Sequence, residues 1–298
     1  TEQGQWSICL LVALSYVPLL IECFFGGQIS TIGLLILTGV IYLHCNSKPL
    51  SAGFALALCS YKPTLLLLAL PMLLVSKEWR ILLGFTLGML MLTVASCLVI
   101  SPSQYVDYLR FLAGYSEETG TGFRTRKNVD VIAFYRLTFG TQSVSAEVLG
   151  LSTLVIGFIS LGRVYYKRAP TSLLARPLAW GCLLTWSLVL NVYTPVYDTI
   201  LIIPSVLLTY DALCRTSMNQ HRTTMQVFKL LVVLIYVAPM LCPTLTRWSG
   251  FQFMTVVLAL LGVFQLTAWK RLAAHSACNA SAKPDISLEP AETLAEVS

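Results

Sequence analysis

Long apolar runs recur along this chain, most of them near the length that a helix needs to cross a lipid bilayer. Of its 298 residues, 56% are hydrophobic and 11% are charged, whereas a soluble domain has about 25% charged residues. A segment inside lipid must satisfy its own backbone hydrogen bonds, and a helix of roughly 20 residues does so. The pattern predicts an all-α, polytopic transmembrane bundle of about eight spans: Trp6–Phe25, Ile29–Leu43, Arg80–Ile100, Val148–Tyr165, Leu178–Val192, Thr199–Leu213, Val227–Leu245 and Phe251–Trp269.

The apolar run from Leu50 to Val75 is interrupted at its middle by Lys62 and Pro63. Proline removes a backbone donor and a lysine is costly at mid-bilayer. We therefore favour a re-entrant hairpin of two half-helices, Ser51–Tyr61 and Thr64–Val75, over one straight span. Non-helical backbone at membrane depth is tolerated only where protein or water surrounds it, so the hairpin tip is expected to belong to a site.

The distribution of basic residues supports the hairpin and orients the chain. The short loops of one side contain only Arg247, and a straight third span would move Lys48 away from the basic side. That side is predicted to be cytoplasmic by the positive-inside rule. The net charge of +6 is interpreted as an orientation signal, since no basic stripe for nucleic acid is present. The basic side collects Lys48, Lys77, Arg80, Arg163, Lys167, Arg168, Arg176, Arg215, Arg222, Lys229, Lys270, Arg271 and Lys283.

The chain is predicted to form one transmembrane domain, residues 1–275, with a long outer segment at 101–147 and a disordered cytoplasmic tail at 276–298. Tyr105–Leu112 has the helical spacing of a short interfacial helix. The nine cysteines stand singly, without the spacing of metal ligands. They are interpreted as small core residues, and neither a metal site nor a cofactor is expected.

Four polar features are expected at the outer face and predict a site there: Gly26-Gly27-Gln28, Lys62-Pro63, the segment 101–147 and Tyr193–Asp198. A lysine at the hairpin tip suits a phosphate, as a compact point charge. Asp198, shortly after Pro195, is consistent either with ordinary helix initiation or with ligand binding.

Other candidates have two open interpretations each. Gln28 is either a ligand for a polar group or a cap for the next helix. Glu22 is either functional or an interfacial carboxylate that faces water. The basic cluster at 124–128 is either a solvated loop or an anion site. Its members are Arg124, Arg126, Lys127 and Asn128.

A series of short motifs resembles glycosyltransferase family 87, integral membrane enzymes of the GT-C type related to polyprenyl-phosphate-mannose-dependent mannosyltransferases. The resemblance runs in order from about Trp6 to Trp269 and leaves the tail uncovered. The motifs are Gly27-Gln28, Ala52–Ala57 leading to Tyr61-Lys62-Pro63, Lys77–Arg80 and Asn191–Asp198.

This resemblance implies transfer of a hexose, such as mannose, from a polyprenyl-phosphate carrier to a lipid or glycan acceptor at the outer face of the plasma membrane. It implies that Lys62 and the basic cluster meet the phosphate, and that Gln28, Tyr197 and Asp198 orient sugar hydroxyls. GT-C enzymes typically have their catalytic acid in the first outer loop. No matching acidic motif precedes Trp6, so the chain is expected to be a fragment with that acid upstream of Thr1. A histidine found in many relatives near the Pro-Tyr-Asp motif is also absent here.

Two alternatives remain open. One is a secondary transporter, which also uses broken helices and intramembrane charges; transporters usually contain internal repeats, and none is detected here. The other is a non-catalytic membrane subunit built on the same helices.

Overall fold

Helices form all the regular elements of the described residues, which are 10–11, 13–101, 103–108, 110–111, 125–167, 175–215 and 222–281 of this computed structural model. Within them there is no sheet, only an isolated antiparallel bridge between Asn128 and Pro195. The helices are α1 (Pro18–Phe25, π-helical), α2 (Ser30–Cys45), α3 (Pro49–Ala57), α4 (Leu66–Val75), α5 (Trp79–Cys97), α6 (Val131–Phe139), α7 (Val144–Lys167), α8 (Ala175–Val189), α9 (Ile202–Arg215), α10 (Arg222–Ser249) and α11 (Phe253–Ser281), with 3-10 turns at Leu58–Tyr61, Pro63–Leu65 and Val196–Leu201.

The helices that are candidates for crossing a membrane are identified by their length and apolar composition. Among the described residues, five helical segments are long and apolar enough to cross, or six if α1 and α2 count as one bent span. The helical membrane bundle is confirmed, and the total of about eight spans stays a prediction, because part of the chain lies outside the described residues. Two predicted spans correspond to α2 and α8, which have only 16 and 15 residues, fewer than the roughly 20 required. The predicted span Trp6–Phe25 begins outside the described residues.

Helix α8 is a central helix of the bundle. It packs against α9 and α11, and most of its side chains are buried. An apolar run indicates that a helix is buried away from water, but it does not show whether the surroundings are protein or lipid. Whether the Leu178–Val192 run crosses the bilayer therefore stays a prediction.

Helices α1 and α2 meet at an angle of 118°. Gly27, in the connection, has a φ of +68°, a left-handed conformation that glycine adopts without the steric cost of a side chain. The chain therefore turns tightly at Gly26-Gly27-Gln28. This turn makes α1 and α2 a sharply bent pair instead of two full spans.

The chain from Pro49 to Val75 runs out and back, as predicted for the hairpin. A Cβ atom on Gly84 would lie 2.1 Å from the Leu50 carbonyl oxygen, and one on Gly88 would lie 2.7 Å from the Ala57 Cβ. In these two contacts the residue number increases along α3 as it increases along α5, so the two helices run parallel. Helix α4, which connects them, must therefore return the chain to the end where α3 begins. Each arm has 13 residues and rises about 20 Å, less than the roughly 30 Å of a bilayer core.

The two ends of the bundle differ in chemistry. At the base end, where the hairpin begins and finishes, His44 Nε2 lies 3.7 Å from Glu78 Oε1 and Lys77 Nζ lies 5.6 Å from the Tyr166 ring centroid. At the tip end lie the start of α2, the hairpin tip and the turn at 193–198. Basic loops at the base end agree with a cytoplasmic location for it.

Cysteine labelling tests this orientation. We expect Gln142→Cys, exposed between α6 and α7 at the tip end, to react with an impermeant maleimide added outside intact cells. We expect Asn46→Cys, exposed at the base end, to react only after the cells are opened. Both changes are made in a background without the nine native cysteines. Labelling of both positions from outside would contradict the arrangement.

Two predicted peripheral segments are described only in part. Residues 103–108 and 110–111 are helical, in agreement with the short helix predicted at Tyr105–Leu112, although Leu109 and Leu112 lie outside the described residues. Helix α11 continues to Ser281, past the predicted start of the tail at 276. The remainder of the tail lies outside the described residues, and its disorder stays a prediction.

Candidate functional site

A buried ion pair joins the hairpin tip to the turn at 193–198. Lys62 Nζ lies 2.5 and 2.6 Å from the two carboxylate oxygens of Asp198, and the side chains are only 17% and 3% exposed. Ser30 Oγ, at the start of α2, donates a further hydrogen bond to Asp198 Oδ1 at 2.6 Å. The expected convergence of these polar segments is therefore present. Gln28 lies two residues before Ser30 and makes no hydrogen bond to the pair within the described residues.

Proline sets the backbone conformation on both sides of the ion pair. Lys62 has φ −136° and ψ 84°, an extended conformation of the kind that a following proline favours. Pro195 precedes the 3-10 turn Val196–Leu201, which has Asp198 in its first turn. The Asp198 carboxylate accepts from Lys62 and Ser30. The Asp198 side chain therefore links the hairpin to the turn, in addition to any contribution it makes to starting the helix.

The charge of Lys62 is already matched in this arrangement. Removing an ion from water is costly unless a partner of opposite charge accompanies it, and Asp198 is that partner. The Tyr197 ring lies 4.9 Å from Lys62 Nζ, at cation–π distance. A substrate-binding role for Lys62, Tyr197, Asp198 and Gln28 stays a prediction, and a phosphate would have to compete with a carboxylate for the lysine.

The backbone of the basic segment is docked beside this turn, while the Arg126 and Lys127 side chains are exposed. Val129 N donates to Thr194 O and Val196 N donates to Lys127 O, both at 2.8 Å. Gln252 Nε2, just before α11, donates to the Asn128 carbonyl oxygen at 2.6 Å. These bonds fix Lys127 and Asn128 against the 193–198 turn. Arg124, predicted as part of the same cluster, lies outside the described residues.

Asp130 completes the docking of this segment. Its Oδ1 accepts from Ala133 N at 2.8 Å, which caps α6, and its Oδ2 accepts from Thr194 N at 3.0 Å. The side chain is 1% exposed and lies outside the membrane-spanning helices. Burial raises its pKa to about 6, against the lowering effect of the two backbone donors and Arg136.

A cavity of about 760 Å³ lies beside the turn and collects the other charged groups. The size suits a small-molecule site. Its charged lining combines three cations with one carboxylate, and the rest is mainly apolar. The lining residues are Glu22, Arg126, Lys127, Arg247 and Gln252, with Val17, Pro18, Ile21, Val129, Val196, Pro239, Met240 and Cys242.

The predicted single site therefore divides into two neighbouring parts. Arg126 and Lys127 line the cavity, whereas Lys62 and Asp198 are absent from its lining. Arg247 and Gln252 were not predicted as site residues. Arg247 did carry a signal, because it is the only basic residue in the short loops of the outer side. Gln252 carried none, since its importance comes from a contact with a segment more than a hundred residues away.

Comparison with known proteins gives the chemical context of this cavity. The sequence profile of glycosyltransferase family 87 matches residues 2–191, more than half of the chain. The chain belongs to glycosyltransferase family 87. No curated protein and no solved structure matches it.

Membership of glycosyltransferase family 87 implies a sugar donor and an acceptor for the sugar. The matched region contains the bent pair, the hairpin and the basic segment, and it ends at Asn191. The turn at 193–198 and the lining residues from α10 and α11 lie beyond the match. Their assignment to a site rests on the contacts described above. Among the described residues, no three His, Cys, Asp or Glu side chains are grouped as metal ligands.

Proposed function

We propose that this chain transfers a hexose, such as mannose, from a polyprenyl-phosphate carrier to a lipid or glycan acceptor at the outer face of the plasma membrane, within a GT-C architecture. The observation that carries the proposal is the cavity at the tip end, where Arg126, Lys127 and Arg247 face a common volume. Cations clustered in this way favour an anionic ligand. A phosphate joined to a sugar and a lipid is such a ligand.

The cavity cations have a direct role in the proposed reaction. As the bond between the sugar and the phosphate breaks, negative charge grows on the departing phosphate, and groups already positioned there stabilise it. Arg126 and Arg247 have no ion-pair partner among the described residues, so their charge is available to a ligand. Lys62 supports the site indirectly, since Asp198 already neutralises it.

The remaining parts of the donor have neighbours of matching polarity. The apolar side of the cavity, with Pro18, Ile21 and Met240, suits the first carbons of the polyprenyl chain, and the rest of the chain lies in lipid. The sugar hydroxyls are assigned to Tyr197 of the turn and to Gln28, which precedes α2. Displacement of the phosphate by the acceptor oxygen in one step inverts the configuration at the sugar carbon.

Neutralising the cavity arginines tests the proposal. We expect Arg126→Gln and Arg247→Gln each to weaken binding of a polyprenyl-phosphate hexose by about 10- to 150-fold. A charge-assisted contact contributes about 1.5–3 kcal/mol, and these side chains have no other charged partner to lose within the described residues. Binding and transfer are measured in nanodiscs with a radiolabelled donor.

A matched control is Arg110→Gln, which removes an exposed arginine of the same outer segment that pairs with Asp107. This variant is expected to bind the donor as the unmodified protein does. Equal binding by all three variants would refute a phosphate site in the cavity. Donor binding with transport and without transfer would favour the secondary transporter, and binding with neither would favour the non-catalytic subunit.

A further inference from the structure

The cavity at the tip end contains charges of both signs that do not pair with one another. Among the described residues, Glu22 is the one carboxylate that lines it. Glu22 is half-buried, and its side chain has no hydrogen bond or ion pair within the part of the chain that the structure describes. Arg126, Lys127 and Arg247 line the same cavity of about 760 Å³, and within the described ranges none of them pairs with Glu22. The other described carboxylates all pair with a basic side chain or accept backbone N–H groups.

The position of Glu22 is fixed by its neighbours in the chain. Tyr16 Oη, just before α1, donates to Thr199 Oγ1 at 2.8 Å. Cys23 Sγ, next to Glu22, contacts the Tyr197 carbonyl oxygen at 3.7 Å. These contacts hold α1 against the turn that contains Tyr197. The separation of the acid from the cations therefore follows from the packing of α1.

Unpaired charges of both signs in one cavity indicate a ligand that carries both signs. A ligand with only negative charge would be attracted by the cations and repelled by Glu22. A zwitterion in which a phosphate and an ammonium are joined by a short link would satisfy both. The ammonium suits a carboxylate that lacks a partner, because it presents three N–H donors.

The walls of the cavity show that such a ligand can come from the membrane. Ile21 of α1 and Met240 of α10 line the cavity and are 58% and 64% exposed, as side chains that face lipid are. The Arg126 and Arg247 side chains are exposed on the same cavity, and Arg247 lies beyond Cys242, where the apolar part of α10 ends. The cavity is therefore open to lipid on one side and to water on the other, as a lipid headgroup requires.

We infer that this cavity binds the headgroup of phosphatidylethanolamine from the outer leaflet of the membrane. The ammonium lies against Glu22 and the phosphate against Arg126 and Arg247, while the acyl chains pass between α1 and α10 into lipid. Phosphatidylcholine carries the same two charges, but its methylated nitrogen has no N–H donor. Phosphatidylglycerol has the phosphate and no cation. The two matched charges therefore select ethanolamine among these phospholipids.

This lipid shares its cations with the proposed glycosyl donor. Arg126 and Arg247 are the groups proposed to hold the donor phosphate, so the donor must displace the lipid from the cavity. We expect donor binding to be weaker in nanodiscs of phosphatidylethanolamine than in nanodiscs of phosphatidylcholine. This consequence rests on the proposed function, whereas the binding of the lipid does not.

Competition among three lipids tests the inference without any donor. The purified protein in detergent receives equal amounts of phosphatidylethanolamine, phosphatidylcholine and phosphatidylglycerol with identical acyl chains, and native mass spectrometry measures each bound lipid. We expect phosphatidylethanolamine to exceed phosphatidylcholine by about 5- to 10-fold, the effect of one charge-assisted hydrogen bond at a half-exposed site. Glu22→Gln should abolish this preference and bind more phosphatidylglycerol, because a negative charge is removed. Arg247→Gln should weaken all three lipids alike, because each carries a phosphate.

The unmodified protein gives a second measure that does not depend on the folding of any variant. Methylation of the ethanolamine nitrogen in steps should lower binding with each N–H group lost. Free glycerophosphoethanolamine, which has the same headgroup without acyl chains, should compete only at a much higher concentration than the lipid. Competition at equal concentration would overturn the membrane as the source of the ligand.

Asp107→Asn is the matched control, since it removes an exposed acid outside the cavity lining and should keep the preference of the unmodified protein. Equal binding of phosphatidylethanolamine and phosphatidylcholine by the unmodified protein would overturn the inference. A preference that persists in folded Glu22→Gln would overturn it as well. A protein that prefers phosphatidylethanolamine but binds no donor would overturn the proposed function and leave the lipid site standing.

Discussion

Replacing Lys62 with alanine is expected to lower the free energy of unfolding by about 3–5 kcal/mol. Such losses are typical when one member of a buried ion pair is removed and the other charge is left behind. Here the charge left behind is Asp198, which is 3% exposed and would retain only the hydrogen bond from Ser30. The free energy is measured by SDS titration in mixed micelles, with helix content as the signal.

A double variant separates the effect of leaving Asp198 unpaired from the effect of removing the Lys62 side chain. Lys62→Met combined with Asp198→Asn removes both charges and preserves the approximate volume of each side chain. We expect it to be more stable than Lys62→Ala, because no unpaired charge remains. A Lys62→Ala protein as stable as the unmodified one would contradict a closed ion pair in the folded state. It would restore the direct phosphate role that the position of Lys62 predicts.

Asp130 is expected to make the protein less stable as the pH rises from about 4 to 6. Burial raises the pKa of this carboxyl to about 6, above its ordinary value of 3.8, so the folded state retains a proton that the unfolded state has lost. The contribution of Asp130 to stability is therefore greatest below pH 3.8, falls through this window and is constant above it, a difference of about 3 kcal/mol. Thermal unfolding in detergent at a series of pH values measures it.

The control for this prediction is Asp130→Asn, which cannot ionise. The difference between the two unfolding curves, taken at each pH, isolates Asp130 from the other titrating groups. At acidic pH the protonated carboxyl and the asparagine amide each have one oxygen free of hydrogens, so the two proteins are expected to differ least in stability there. A constant difference across the whole range would show that Asp130 does not titrate in this window.

Much of the fold follows from local patterns in the sequence. Apolar runs predicted most of the long helices. Lys62-Pro63 predicted the break between the arms of the hairpin, because proline and a charge each disfavour a continuous span. Apolar runs alone did not determine which helices lie at the centre of the bundle. The Leu178–Val192 run is as apolar as its neighbours, yet α8 is buried by α9 and α11. Hydropathy does not distinguish a helix surrounded by lipid from a helix surrounded by protein.

The candidate site was predictable only where one residue carried a strong constraint. Lys62 needed a nearby partner at membrane depth, and Asp198 was the acid in the motif expected at the same face. The cavity was not predictable, since its lining combines a π-helical segment around Glu22 with Arg247 at the end of α10. Such a volume depends on how helices cross, which single-sequence patterns do not determine.

The ion pair at the hairpin tip also constrains the order in which the protein is assembled. Asp198 is separated from Lys62 by 136 positions in the chain, and at about 5–20 residues per second the ribosome needs roughly 7–27 s to reach it. During this interval the lysine lacks its counter-charge, and a lone ammonium is not stable in lipid. The tip must therefore remain hydrated or inside the insertion machinery until the second half of the chain emerges. The final seating of the hairpin is a late step in biogenesis, although the hairpin is made early.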